Sequence, residues 1–410
     1  MLNDDVFFKQ HSSFAFAILA IAVFGLLFVT ACGSGSSGSP PPPPPAPLVL
    51  AVPANTNENG INNIWTIHAD GSDALQLTQY NGSTSQAQAL QPLWSPDGTQ
   101  MVFASDGALD GSDTLAQYYY LWIMKANGSG RQPLYTNNPI IYSAVGNVAD
   151  WSSGGTKVAI SESFANTFQI AVVNADGSNP TPLADGLAPV WSPDGTKLAF
   201  EGFAGSDPDG NIFTVQANGT GLTQLTQFAE PFNAVAPVWS PDGTKLAFSV
   251  GNMQGGGYTI WIMNADGSNQ TSYPGSSFIY DWGNMIGRIV NWSPDSTKVA
   301  FPSTAALDGN PSDPDINSVN IWVMNADGTN RHPLTQYNVN PGTYVFVPTW
   351  SPDGSEIAFL SGGDLDGSGQ PSTQWCIWTM KADGSGAAPL TATSTGPTWN
   401  TFWLQPAWQP

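Results

Sequence analysis

The residues of this sequence placed to do chemistry are carboxylates. Leu109-Asp110-Gly111, Leu307-Asp308-Gly309 and Leu365-Asp366-Gly367 each begin six residues after a phenylalanine, Phe103, Phe301 or Phe359. Asp207-Pro208-Asp209-Gly210 is a near copy. Hard divalent cations take several carboxylate and carbonyl oxygens, and Asp113, Asp313, Asp315 and Asp364 could add to such sets. The calcium candidates are therefore Asp110, Asp113, Asp308, Asp313 and Asp366. No copy has the full calcium-loop spacing ending in Glu, and inherited turn chemistry gives equal offsets without any metal. The expectation is no cofactor, with calcium as the exception to test.

Catalytic parts are scarce. The histidines are His11, His68 and His332, too few for a histidine-held metal or a Ser-His-Asp triad, and there is no Gly-x-Ser-x-Gly elbow. His68 falls in a slot that other repeats fill with Lys125, Asn174, Gln216, Asn264, Asn325 or Lys381, which marks it as structural. No catalytic residue is assigned and a non-enzyme is expected. A hydrolytic or lyase enzyme using a pair of loop carboxylates, carbohydrate-active or otherwise, is the alternative.

What must position these loops is a repeat. Trp191 to Phe200 reads WSPDGTKLAF and returns unchanged at Trp239 to Phe248, with looser copies at Trp94, Trp151, Trp292 and Trp350 and a fragment at Trp408. A second motif, Trp261-Ile262-Met263-Asn264-Ala265-Asp266-Gly267-Ser268, alternates with it. In Ser-Pro-Asp-Gly, proline supplies the φ of a type I turn and glycine the left-handed position; the later Asp-Gly reads as a two-residue hairpin turn. Leu198 and Phe200 share one strand face and Lys197 and Ala199 the other, as in a strand covered on both sides. Each unit is four strands, and such units must stack on one another to bury both faces.

The Trp-to-Trp spacings of 57, 40, 48, 53, 58 and 58 are too uneven for a linear solenoid and suit propeller blades with variable loops. Leu48 to Gln79 lacks a Trp strand, and Pro406-Ala407-Trp408 is a Trp strand alone. Joining them predicts an all-β, seven-bladed propeller of four-stranded antiparallel blades closed by its N- and C-terminal strands, with six blades as the alternative. The repeat resembles the TolB-type, WD40-like, β-propeller repeat over residues 48–410. That resemblance implies a binding scaffold, while prolyl oligopeptidase-like enzymes and oligogalacturonate lyase are similar too.

Composition narrows the partners. Ten Lys and Arg against 31 Asp and Glu, a net charge of -21, leave nothing to neutralise a phosphate backbone, so nucleic acid is excluded as a partner. Two cysteines offer no disulfide framework; Cys376 lies in an apolar strand and reads as buried and inert. Cys32 is different. An apolar run from Phe14 to Val29 leads into Val29-Thr30-Ala31-Cys32, which resembles the bacterial lipobox, implying diacylglyceryl attachment to Cys32 and cleavage before it. Residues 1–31 are then a lipoprotein signal peptide, and 32–47 a Gly/Ser and polyproline tether. Gly33 after the cysteine resembles lipoproteins sent to the outer membrane. The expected location is the bacterial cell envelope, lipid-anchored, facing the periplasm or the exterior.

Antiparallel order puts the two uniform turns on one rim and the long, varied connections on the other. Function usually resides on variable loops held by a rigid scaffold. Aromatics in or beside those connections, Tyr118, Tyr119, Tyr120, Phe278, Tyr280, Trp282, Trp399 and Trp403, make this rim the expected contact surface. The partner-binding candidates are Tyr118, Tyr119, Tyr280, Trp282, Trp399 and Trp403, for an envelope protein or polysaccharide bound by a monomer.

Overall fold

Two kinds of turn, each built by one aspartate, dictate the architecture. In the computed structural model, residues 47–54, 62–80, 87–107, 115–140, 149–164, 167–203, 210–252, 258–278, 290–304, 319–336, 345–361, 376–390 and 406–410 are described. Ser192 Oγ donates to Asp194 Oδ1 at 2.6 Å, and the same oxygen accepts the Thr196 amide at 3.0 Å. Gly195 follows at φ +68°, a conformation that costs a side chain dearly. The pattern recurs around Asp97, Asp242, Asp295 and Asp353.

The second turn departs from its expectation. A two-residue Asp-Gly hairpin of type I′ needs two successive residues with positive φ. Of this pair Gly267 alone is positive, at +85°. Asp266 instead accepts the Ser268 amide at 2.9 Å, and the Asn264 amide reaches across to the Ser268 carbonyl at 2.9 Å. The forward bonds of the aspartate hold it out of the left-handed region and lengthen the turn.

Among the described residues all regular structure is β-strand, in five four-stranded antiparallel sheets and one of seven strands, arranged as a propeller. A typical unit comprises Phe232–Trp239, Lys245–Asn252, Tyr258–Asn264 and Thr271–Phe278. Its second and third strands pair Lys245 with Asn264 and Phe248 with Trp261. The same register sets Gln100 opposite Lys125, Lys197 opposite Gln216 and Val49 opposite His68, so His68 does occupy a strand-end position. The seven-stranded sheet has a simple cause. Thr181–Trp191 pairs through Thr181 to Asp185 with Thr167–Asn174, then through Gly186 to Trp191 with Lys197–Gly202. One strand thus ends one unit and begins the next.

Packing between units follows from two-sided burial. Leu198 and Phe200 cluster with Ala159, Ile170 and Val172 of the preceding unit, whereas Ala199 clusters with Trp239, Leu246 and Phe248 of the following one. Burying a side chain such as Phe200, fully excluded from solvent, contributes roughly 2–3 kcal/mol. The tryptophans add direction. Trp151 Nε1 donates to the carbonyl of Leu93 at 3.2 Å, Trp239 to Val190 at 3.3 Å and Trp292 to Val238 at 3.2 Å, each acceptor directly preceding the tryptophan of the unit before.

The same rule crosses the chain ends. Trp94 Nε1 donates to Ala407 O at 3.1 Å and Trp408 Nε1 to Thr349 O at 3.0 Å. Ala407–Trp408 pairs with Val49–Ala54 and completes the four-stranded sheet of Asn63–His68 and Leu75–Gln76, so the N- and C-terminal strands close one sheet as expected. The chain enters this unit beside a uniform turn, where Leu48 O accepts the Ala69 amide at 2.9 Å. The varied connections leave from the opposite strand ends.

Candidate functional site

The strand ends that carry the varied connections divide into pinned residues and displayed ones. Tyr118, near the start of Leu115–Lys125, is 50% exposed. Its neighbour Tyr119 points the other way: it hydrogen bonds to the carboxylate of Asp106 and packs on the core cluster around Leu121 and Ile140, while its carbonyl accepts the Ile140 amide at 3.0 Å. Alternation along one strand thus separates two adjacent tyrosines into a displayed and a structural one. Tyr280, Trp282, Trp399 and Trp403 lie outside the described residues, as do Asp110, Asp113, Asp308, Asp313, Asp366 and Cys32.

Two further aromatics are displayed at these ends and were not singled out from sequence. Phe168, at the start of Thr167–Asn174, is 46% exposed, and Phe232, at the start of Phe232–Trp239, is 45% exposed. Aligning the repeats by the strand register would have found Phe168, since it falls in the slot of Tyr119 and Tyr258. Phe232 has no such counterpart and gives no signal beyond its position just after a connection.

Three buried acids also sit here, one at the end of each of three successive second strands. Asp106 accepts the Gln88 amide at 2.6 Å, and burial lifts its carboxyl above the usual range. Glu162 accepts from Tyr135 Oη and from Asn138 Nδ2 at 3.0 Å, which ties the chain after Gln132–Tyr135 to the next unit. Burial, and then the Glu162 carboxylate, raise the Tyr135 hydroxyl well above its ordinary value. Glu201 is 6% exposed, and its Oε2 has no hydrogen-bond partner. A Cβ on Gly210 would lie 2.5 Å from its Oε1, so a side chain there would displace that carboxyl.

Desolvation pushes Glu201 up to about 8 from 4.5. The opposite shift holds in the turns, where Ser side chains and backbone amides bonded to Asp97, Asp194 and Asp242 lower their carboxyls. The signs give a two-sided pH profile. Groups lowered on folding stabilise above about pH 4 and lose that contribution as pH falls; Glu201, raised on folding, loses its contribution as pH rises from 4.5 to 8. At pH 7 an acid so shifted costs about 3 kcal/mol. Glu201→Gln should therefore raise the melting temperature at pH 7 to 8 and leave it unchanged near pH 4.5. Parallel melting curves for the two proteins across pH 4.5 to 8 would refute this assignment.

Among the described residues no group of three or more His, Cys, Asp or Glu is arranged to hold a metal ion, and no helix is long and apolar enough to cross a membrane. Asp106 and Glu162 each bind donors of their own, whereas Glu201 Oε2 has none. What the arrangement offers chemically is a rigid set of strand ends bearing exposed aromatic rings.

The fold is that of a β-propeller built from repeated four-stranded units. Residues 155–312 match the TolB beta propeller domain. A protein described as a TolB homolog in Chlorobium luteolum is 30% identical over 173 residues, 41% of this chain and 34% of that relative, so the chain spans about a third of its length. Among solved structures, TolB from Acinetobacter baumannii superposes with a TM-score of 0.51 at 13% identity, covering 89% of this chain and 67% of that one. A Mycobacterium tuberculosis puromycin-hydrolyzing peptidase gives a TM-score of 0.58 at 14% identity, covering 83% of this chain and 53% of the other. The TolB-type propeller read from the repeat is thus borne out; the two structural likenesses speak for the fold alone.

Proposed function

We propose that this protein is a non-catalytic binding scaffold of the bacterial cell envelope, a seven-bladed propeller anchored through a lipid on Cys32. Its partner is an envelope protein or polymer gripped by the strand ends that carry the varied connections. One observation carries the reading: the exposed rings Tyr118, Phe168 and Phe232 all stand at those ends, whereas the exposed large apolar residues beside the opposite turns are the aliphatic Leu75 and Leu222. Rigidly mounted, exposed aromatics are what partner recognition uses. Seven units are supported by the strand shared between two of them, which lets one seven-stranded sheet count as two blades. Among the described residues the buried acids Asp106 and Glu162 are each taken up by hydrogen-bond donors of their own, which favours a scaffold over an enzyme that needs a facing acid pair.

The test is affinity capture from a membrane extract with the full chain and with its Tyr118→Ser/Phe168→Ser/Phe232→Ser variant. A specific partner of the parent chain should fall at least tenfold with the variant. Identical captures by two equally stable proteins would defeat the proposal.

A further inference from the structure

Among the described residues the cations are confined to one end of the units. Of the ten Lys and Arg, eight lie among the described residues, and all eight flank the uniform turns. Four open a second strand, as Lys197 does; Lys125 and Lys381 close a third strand; Arg131 and Arg331 follow the second turn. Three of these cations rest on aromatic rings: Lys197 Nζ lies 4.9 Å from the Trp239 ring, Arg131 5.0 Å from Tyr80 and Arg331 6.0 Å from Trp322. Among the described residues the other end has no Lys or Arg.

Acids remain there, and they lie between two displayed rings across three consecutive units. Asp185 is exposed and lies on the strand beside Phe168, opposite its neighbour Gln169. Glu230 is exposed two residues before Phe232. Between them, Glu201 opposes Leu187 of Asp185's own strand, and Gly210 O, beside the Glu201 carboxyl, accepts the Ala234 amide of the strand that begins at Phe232 at 2.8 Å. This sector therefore runs Phe168, Asp185, Glu201, Glu230, Phe232. Its central carboxyl is nine-tenths buried with an oxygen no protein donor satisfies. Two exposed apolar rings flanking exposed carboxylates, with no Lys or Arg at this end among the described residues, complement a chain that carries cationic groups between apolar ones.

We infer that the sector from Phe168 to Phe232 binds a polypeptide segment that presents lysine or arginine beside apolar side chains. This rests on the scaffold reading above and names the partner class for it. The exposed acids supply selectivity and a salt-sensitive association rate, and the rings supply contact area.

The test uses the full chain in neutral detergent and two fluorescent ten-residue peptides, one alternating lysine with leucine and one alternating glutamine with leucine. The lysine peptide should bind at least tenfold tighter, and weaken as salt rises. Asp185→Asn/Glu230→Gln should remove most of that preference while sparing the glutamine peptide. Phe168→Ser/Phe232→Ser should weaken both. Equal binding of the two peptides, or a lysine preference untouched by the acid variant, overturns the cationic-partner inference. In either case, loss of binding in the aromatic variant would still uphold the scaffold reading; aromatic variants without effect on any peptide would sink both.

Discussion

Deleting Gln405 to Pro410 should lower the melting temperature of the whole propeller by roughly 8 °C and increase its aggregation. Trp408 is 8% exposed and packs with Leu50, Val52, Leu360 and Ile377, so its removal alone costs about 3–5 kcal/mol. Two bonds across the chain ends go with it, Gln409 N to Val49 O at 2.8 Å and Gln409 Nε2 to Gly98 O at 3.0 Å, and so does the bond from Trp408 Nε1 to Thr349 O at 3.0 Å in the preceding unit. Trp94 Nε1 loses its acceptor at Ala407, and a buried polar group left unpaired costs about 1–3 kcal/mol. A total of about 6 kcal/mol, at roughly 2 cal/mol/K of unfolding entropy per residue, gives the stated shift. The stripped edge of Val49–Ala54 would template pairing with another chain. Trp408→Phe keeps the packing and loses the indole bond, so it should cost about 1–2 kcal/mol. An unchanged transition after the deletion would show that the terminal strand is dispensable.

The second large effect falls on a single methyl group. Gly177 has φ +82°, and a Cβ there would lie 2.6 Å from the Leu134 carbonyl oxygen of the preceding unit. Gly384 and Gly128 meet Leu334 O and Leu77 O in the same way, at 2.7 and 2.9 Å, and Gly71 meets Leu390 O at 3.7 Å across the chain ends. Neither backbone can yield without disturbing a unit interface. Gly177→Ala adds left-handed strain of about 1–2 kcal/mol to that clash, for a loss of about 4 kcal/mol. Gly154→Ala is the control, because a Cβ at Gly154 meets nothing within 4 Å. Its stability should stay within about 0.5 kcal/mol of the parent protein. Equal losses at the two glycines would mean that turn entropy, and not the contact between units, is being measured.

Much of this architecture can be read from residue spelling because each repeat states its own turn chemistry. Ser192, Asp194 and Gly195 make the bonds and the φ that Ser-Pro-Asp-Gly implies, and the fragment at Trp408 points to the strand it completes. The Asp-Gly turn misleads, because dipeptide identity says nothing of the forward bond from Asp266 to Ser268 that sets the longer geometry. The site is less legible. Tyr118 and Tyr119 are alike in sequence, and only the carboxylate of Asp106 and the chain at Ile140 decide which is displayed. Asp106, Glu162 and Glu201 escape a motif search because they occupy strand ends, where repeats diverge and loop aspartates attract more notice. Lys197 and its equivalents read as strand markers; that the described cations gather at one end of the units needs the strand order.

The central claim, that the partner is held at the ends bearing the varied connections, is tested most directly by hydrogen exchange. Amides of the full chain should be compared with and without the partner recovered by capture. Protection is expected at 118–120, 167–170 and 232–235, with the Ser-Pro-Asp-Gly turns at Asp194, Asp242 and Asp353 unchanged. Protection confined to those turns, with the three aromatic segments exchanging as in the free protein, would contradict it.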